Sequence, residues 1–164
     1  MNHFRLNLPV AFSVLALALA SCATDEHDDH ANATPESEAC EHLAGTASKA
    51  VTALTVADAD KLADVSTAHT RFDVTLPADA SGTYAGYVKF LAPTKGDYLL
   101  VANAAVPLQV IDSAGVAVVP TSTTSTGACS AVATQLVLPL GVATYRVKIG
   151  PHSKATVGLL FEAK

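Results

Sequence analysis

Three stretches of this chain alternate apolar and polar side chains strictly, and that period of two restricts the architecture more than any other feature. Arg71-Phe72-Asp73-Val74-Thr75-Leu76 sets Phe72, Val74 and Leu76 on one face and Arg71, Asp73 and Thr75 on the other. Residues 144–149 repeat this through Tyr145, Val147 and Ile149, and residues 156–162 through Val157, Leu159 and Phe161. Each reads as a strand with one buried face, because successive side chains of a strand point to opposite sides of the sheet. Residues 84–91, 98–103, 107–111, 116–119 and 134–140 are further short runs, β-branched or aromatic. Lys95-Gly96-Asp97, Asp112-Ser113-Ala114-Gly115 and Gly150-Pro151 supply turns between them. Strands at this spacing with no helix signal predict an all-β fold over residues 45–164, a mostly antiparallel β-sandwich of jelly-roll or Ig-like type. Residues 46–65 are ambiguous, an Ala-rich helix or a strand followed by a loop; Val51, Thr52, Thr55 and Val56 favour a strand for the first half. With 164 residues, half of them apolar, the chain can bury one core of ordinary size.

Residues 1–21 have a different character. Arg5 precedes PVAFSVLALALA, residues 9–20, an apolar core shorter than the roughly 20 residues a membrane-spanning helix requires. Leu19-Ala20-Ser21-Cys22 then resembles the lipobox of bacterial lipoproteins. That resemblance covers the leader alone. It implies cleavage before Cys22, acylation of the Cys22 sulfur and attachment to the lipid bilayer through the acyl chains, each buried methylene contributing about 0.8 kcal/mol. Ala23 follows where an Asp would retain many Gram-negative lipoproteins in the inner membrane, so the expectation is the outer membrane, at its periplasmic face or the cell surface.

Residues 22–44 read as a lipidated acidic tether. DEHDDHANATPESEACEH, residues 25–42, holds seven acids, three histidines and no Lys or Arg, so the plain expectation is a disordered, extended spacer. A sharper reading is a site for a divalent transition metal: His27 and His30, with Asp25, Glu26, Asp28 and Asp29 beside them, offer imidazole and carboxylate donors suited to Zn, Cu(II) or Ni. Cys40-Glu41-His42 could extend it, Cys40 and His42 adding thiolate and imidazole. Cys40 has a competing use. With Cys22 given to lipid, Cys40 and Cys129 remain as an even pair for a disulfide.

The formal charge of -5 argues against nucleic acid as a partner, since a phosphate backbone needs a basic surface. Gly96-Asp97-Tyr98, the strand ending in Asp112 to Gly115, and Gly141 to Tyr145 together resemble bacterial β-sandwich modules of the pre-peptidase C-terminal type, over roughly residues 69–163. The resemblance implies a sandwich and no transferable activity, because no protease precedes it here. An acidic tether and a Cys-Glu-His element ahead of the sandwich also resemble small lipoproteins that carry no known activity.

No catalytic constellation is legible. Thr46-Ala47-Ser48-Lys49 echoes Ser-x-x-Lys enzymes without a Ser in the first position, and His69 and His152 read as rim residues. The hydroxyl-rich tract 121–127 reads as a flexible connection. The expectation is a membrane-anchored, non-catalytic envelope lipoprotein whose sandwich binds or supports an envelope protein or polysaccharide. Its alternative is an envelope lipoprotein that binds Zn, Cu or Ni through the tether. Mass spectrometry of native protein should find an acylated Cys22 at the mature N-terminus; recovery of an intact Met1 would overturn that expectation.

Overall fold

A computed structural model describes residues 33–125 and 129–164. The leader, Cys22, His27 and His30 lie outside the described residues. The elements in chain order are α1 (Pro35–Ala44), β1 (Lys49–Thr52), β2 (Phe72–Thr75), β3 (Tyr84–Ala92), β4 (Gly96–Ala102), β5 (Leu108–Ile111), β6 (Ser122–Thr124), β7 (Thr134–Leu140), β8 (Ala143–His152) and β9 (Thr156–Ala163). They build a six-stranded sheet in the order β1-β2-β9-β4-β7-β6 and a three-stranded sheet in the order β3-β8-β5. Only β1 and β2 pair in parallel; every other pairing of named strands is antiparallel. The fold is the all-β sandwich that the alternation predicts.

The three alternating segments become β2, β8 and β9, and their apolar faces meet between the sheets. Phe72, Val74, Val147, Ile149, Leu159 and Phe161 are all buried there together with Val88, Phe90, Leu100 and Leu138. Phe90 of the small sheet stacks on Phe161 of the large one at 3.8 Å between ring centroids, so one aromatic pair joins the two layers. Tyrosines close two of the turns that cross from one sheet to the other. The Tyr98 hydroxyl donates to the Thr94 carbonyl at 2.9 Å, and the Tyr145 hydroxyl accepts from the Gly141 amide at 2.9 Å. The Gly-x-x-x-Tyr spacing thus has a physical use: a phenol reaches back four residues to satisfy a turn's backbone.

Several expectations are corrected. Residues 35–44 do not belong to an extended spacer, and the folded body begins ahead of residue 45. Thr34 accepts from the Ser37 amide at 3.2 Å while the Ser37 hydroxyl accepts from the Thr34 amide at 2.9 Å, a reciprocal cap. Pro35 opens the helix, and Glu36 and Glu38 place negative charge in its first turn, where the helix dipole favours it. Ten residues are too few for a stable isolated helix. Packing decides instead: Ala39 and Leu43 are buried with Leu99, Val101, Val137 and Leu160 on the outer face of the large sheet. Cys40 is joined to Cys129 across a sequence separation of 89, a link that holds the helix to the approach to β7. Of residues 116–119, only Ala117 makes an isolated bridge, to Ile111. Ser122–Thr124 of the hydroxyl tract adds an edge strand beside β7, and Gly150-Pro151 lies inside β8, which continues to His152 opposite Tyr84.

Replacing both cysteines, Cys40→Ser with Cys129→Ser, should lower unfolding free energy by about 4 to 5 kcal/mol in the chain-entropy account of a loop of this length. Urea denaturation of the two oxidised proteins checks it.

Candidate functional site

Alternation along β9 sends Val157, Leu159 and Phe161 into the core and Leu160 and Glu162 to the opposite face, beneath α1. Glu162 is 3% exposed and is the one buried charged residue among the described residues. The β2–β9 register pairs Phe72 with Leu159. Continued three residues beyond the strand, the same register brings His69 opposite Glu162, and the His69 Nδ1 lies 3.2 Å from the Glu162 Oε2. His42, on the last turn of α1, completes the group, its ring centroid 5.3 Å from that of His69. One ligand atom from each of the three residues falls within 4.8 Å of the others, a spacing that a single cation can draw together.

The electrostatics are unusual for an interior position. Burial pushes the Glu162 carboxyl above its ordinary range and Glu38 adds to that, while the charges of His69 and His42 and the hydrogen bond from His69 oppose it. Oε2 faces His69, but Oε1 is buried with no hydrogen-bond partner. His69 also holds φ at 52°, the one non-glycine residue with positive φ among the described residues. A left-handed backbone at a non-glycine residue is costly, and such cost is commonly kept at functional sites.

Arg71 positions the group. Its Nη1 donates to the carbonyls of Leu43 and Gly45 at 3.1 and 2.8 Å, which caps the end of α1 with a positive charge. Its Nε and Nη2 donate to Asp73 at 3.0 and 3.2 Å, and Ser48 donates to the same carboxylate at 2.6 Å. At the other end of the helix, Glu36 pairs with Lys164. The helix that carries His42 is therefore fastened to β2 and to the end of the chain by charge, and to Cys129 by a covalent bond.

Of the metal-ligand candidates read from sequence, Cys40 and His42 lie among the described residues, and the structure brings only His42 into this group. Cys40, two residues away, is bonded to Cys129 and has no thiolate to offer a metal. His152 accepts from the Lys154 amide at 3.0 Å, at the end of β8. Ser48 serves Asp73, and the Lys49 ammonium lies 5.8 Å from the Phe72 ring centroid. His69 and Glu162 were not legible as partners: His69 reads as a rim residue and Glu162 as the polar end of an alternating strand. The signal that joins them is a pairing register between segments 90 residues apart, which local sequence does not contain.

A second feature lies across the sandwich. On the outward side of the small sheet, Lys89 stands directly opposite Arg146, and Lys148 opposite Tyr87. None of the three cations has a carboxylate within 4.0 Å among the described residues, and Arg146 donates instead to the Asp112 carbonyl at 2.8 Å. Like charges directly opposite on neighbouring strands repel. Shallow depressions border this face, one lined by Asp60, Asp64, Lys89, Leu91 and Thr144, another by Asp58, Asp60, Ser113, Thr144 and Arg146, a third by Gln109 and Lys148.

No family model matches the chain, and no curated protein shows significant similarity to it.

Hydrogen bonds from Arg71 and Ser48 hold the Asp73 carboxyl below its ordinary range. A lowered folded-state value stabilises the protein above the unfolded value, near 3.9, and that stabilisation disappears as pH falls through the folded value. Asp73→Asn should therefore lower stability at pH 7 by about 2 kcal/mol and leave a shallower loss below pH 4. Acid titrations followed by circular dichroism check both.

Proposed function

We propose that this chain is a lipid-anchored, non-catalytic lipoprotein of the cell envelope, held on the outer membrane through acylated Cys22. Its sandwich presents the outward face of β3, β8 and β5 to an anionic envelope polysaccharide. The observation that carries the binding half is the row formed by Lys89, Arg146 and Lys148. It gathers three cations without carboxylate partners on one sheet face of a chain whose formal charge is -5. A polyanion laid across them relieves their mutual repulsion and gains from three charge-assisted hydrogen bonds. Tyr87, half-buried on the same face, adds an aromatic surface beside Lys148.

The anchoring half is supported by the leader and by chain direction. Twelve residues lie between Cys22 and Pro35, a reach of at most about 45 Å. The helix that follows packs on the large sheet, the side away from the cationic row. A module attached on that side turns its small sheet outward, where a polymer can meet it. The shallow, open form of the depressions suits a chain lying across a surface better than a small substrate enclosed for reaction.

Titration of the full-length protein with a labelled polyuronate, followed by fluorescence anisotropy, tests the reading. Binding should weaken at least tenfold when Lys89→Gln, Arg146→Gln and Lys148→Gln are combined, and should weaken as salt rises, since exposed charges are screened over about 8 Å at physiological ionic strength. A neutral glucan should not bind. Equal affinity of the triple variant for the polyuronate would sink the proposal.

A further inference from the structure

We propose that His42, His69 and Glu162 form a binding site for one divalent transition-metal ion of the Zn(II) class, built into the folded body and independent of the polysaccharide reading. The donor set is two imidazoles and one carboxylate, a combination suited to Zn(II), Ni(II) and Cu(II) and poorly suited to Ca(II) or Mg(II), which take oxygen ligands. The three donors come from α1, from the turn before β2 and from β9, so only the folded chain assembles them.

Geometry favours an ion over a simple ion pair. His69 satisfies one oxygen of Glu162 at 3.2 Å, and that separation is already close to the roughly 3.4 Å edge between two ligands of a tetrahedral zinc. The other oxygen, Oε1, is buried without a donor, and native interiors rarely leave such an atom unpaired unless an ion, a water or a function accounts for it. A dication bound through Oε1 answers both facts at once: it neutralises the buried carboxylate and gives the orphaned oxygen a partner. His42 approaches from the helix above, at 5.3 Å between ring centroids, and one donor atom from each of the three residues lies within 4.8 Å of the others. The left-handed backbone of His69 is a conformational cost held at this same group.

The surroundings serve the ligands as a supporting shell. Arg71 caps the helix turn that carries His42, and the Cys40–Cys129 bond fixes the same helix two residues earlier while removing Cys40 from the donor set. Three protein ligands leave at least one coordination position of the ion open. His69, with its side chain 56% exposed, stands on the solvent side, so water completes the coordination.

Isothermal titration of the full-length protein with ZnCl2 in detergent tests the site, with the tether histidines controlled by His27→Ala and His30→Ala together. One tight equivalent of Zn(II) should bind both the parent and the tether variant. His42→Ala, His69→Ala and Glu162→Gln should each weaken that equivalent at least tenfold, with circular dichroism confirming that the sandwich is retained. Co(II) loaded in place of Zn(II) should give visible absorption bands of a four-coordinate nitrogen and oxygen site, absent from His69→Ala. Thermal unfolding supplies a readout that survives a poorly folded variant: saturating Zn(II) should raise the midpoint of the parent, and the rise should vanish in His69→Ala. No tight equivalent in the parent, or loss of it in the tether variant with full retention in the other three, overturns the proposal.

Discussion

Burial of the outer face of the large sheet is the constraint on which the rest of this structure depends. From Tyr98 to Ala102, β4 is buried at every residue, on both sides of the strand, and β9 is buried from Val157 to Glu162. The inward side is covered by the small sheet, but Leu99, Val101, Val137 and Leu160 point the other way and would stand in water without α1. At about 25 cal/mol for each Å² of apolar surface, leaving four such side chains exposed would cost several kcal/mol, a large part of a small domain's net stability. A sandwich with two apolar faces on one sheet needs a third layer.

That layer comes from a segment that has little drive to be helical by itself. PESEACEHLA buries Ala39 and Leu43 against the sheet with Cys40 partly buried beside them, and its other side chains are largely polar. It is held by attachments at both ends: the reciprocal cap at Thr34 and the Glu36–Lys164 pair at the start, Arg71 at the finish, and the disulfide between. One consequence is the placement of Glu162. The last outward position of β9 falls under the helix, so covering the apolar residues also covers a carboxylate, and the two histidines beside it come from α1 and from the turn before β2.

The two outer faces of the sandwich are therefore chemically distinct. The large-sheet side carries the helix, the entry of the acidic segment and the His42–His69–Glu162 group. The small-sheet side carries the cationic row and the shallow depressions. The His42–His69–Glu162 group and the Lys89–Arg146–Lys148 row thus lie on opposite sides of a two-sheet core.

The strands were legible in sequence to the extent that their pattern was local. Alternation over six or seven residues located β2, β8 and β9, and it named the core residues Phe72, Val147 and Phe161, because the period of a strand is written in neighbouring side chains. Cys40 and Cys129 were legible as a pair by counting. The helix was not, since Thr34-Pro35-Glu36-Ser37 carries a start signal but the acidic composition around it argues for a solvated spacer; only contact with Leu99 and Leu160 decides between them. His69 and Glu162 were beyond reach for a related reason. Amino-acid order by itself determined the β class, the apolar face of each main strand and the two cysteines available to each other. Tertiary structure alone decided the sheet order, the helical layer and the meeting of His42, His69 and Glu162, because those follow from the pairing of distant segments, where burial of shared surface outweighs local preference.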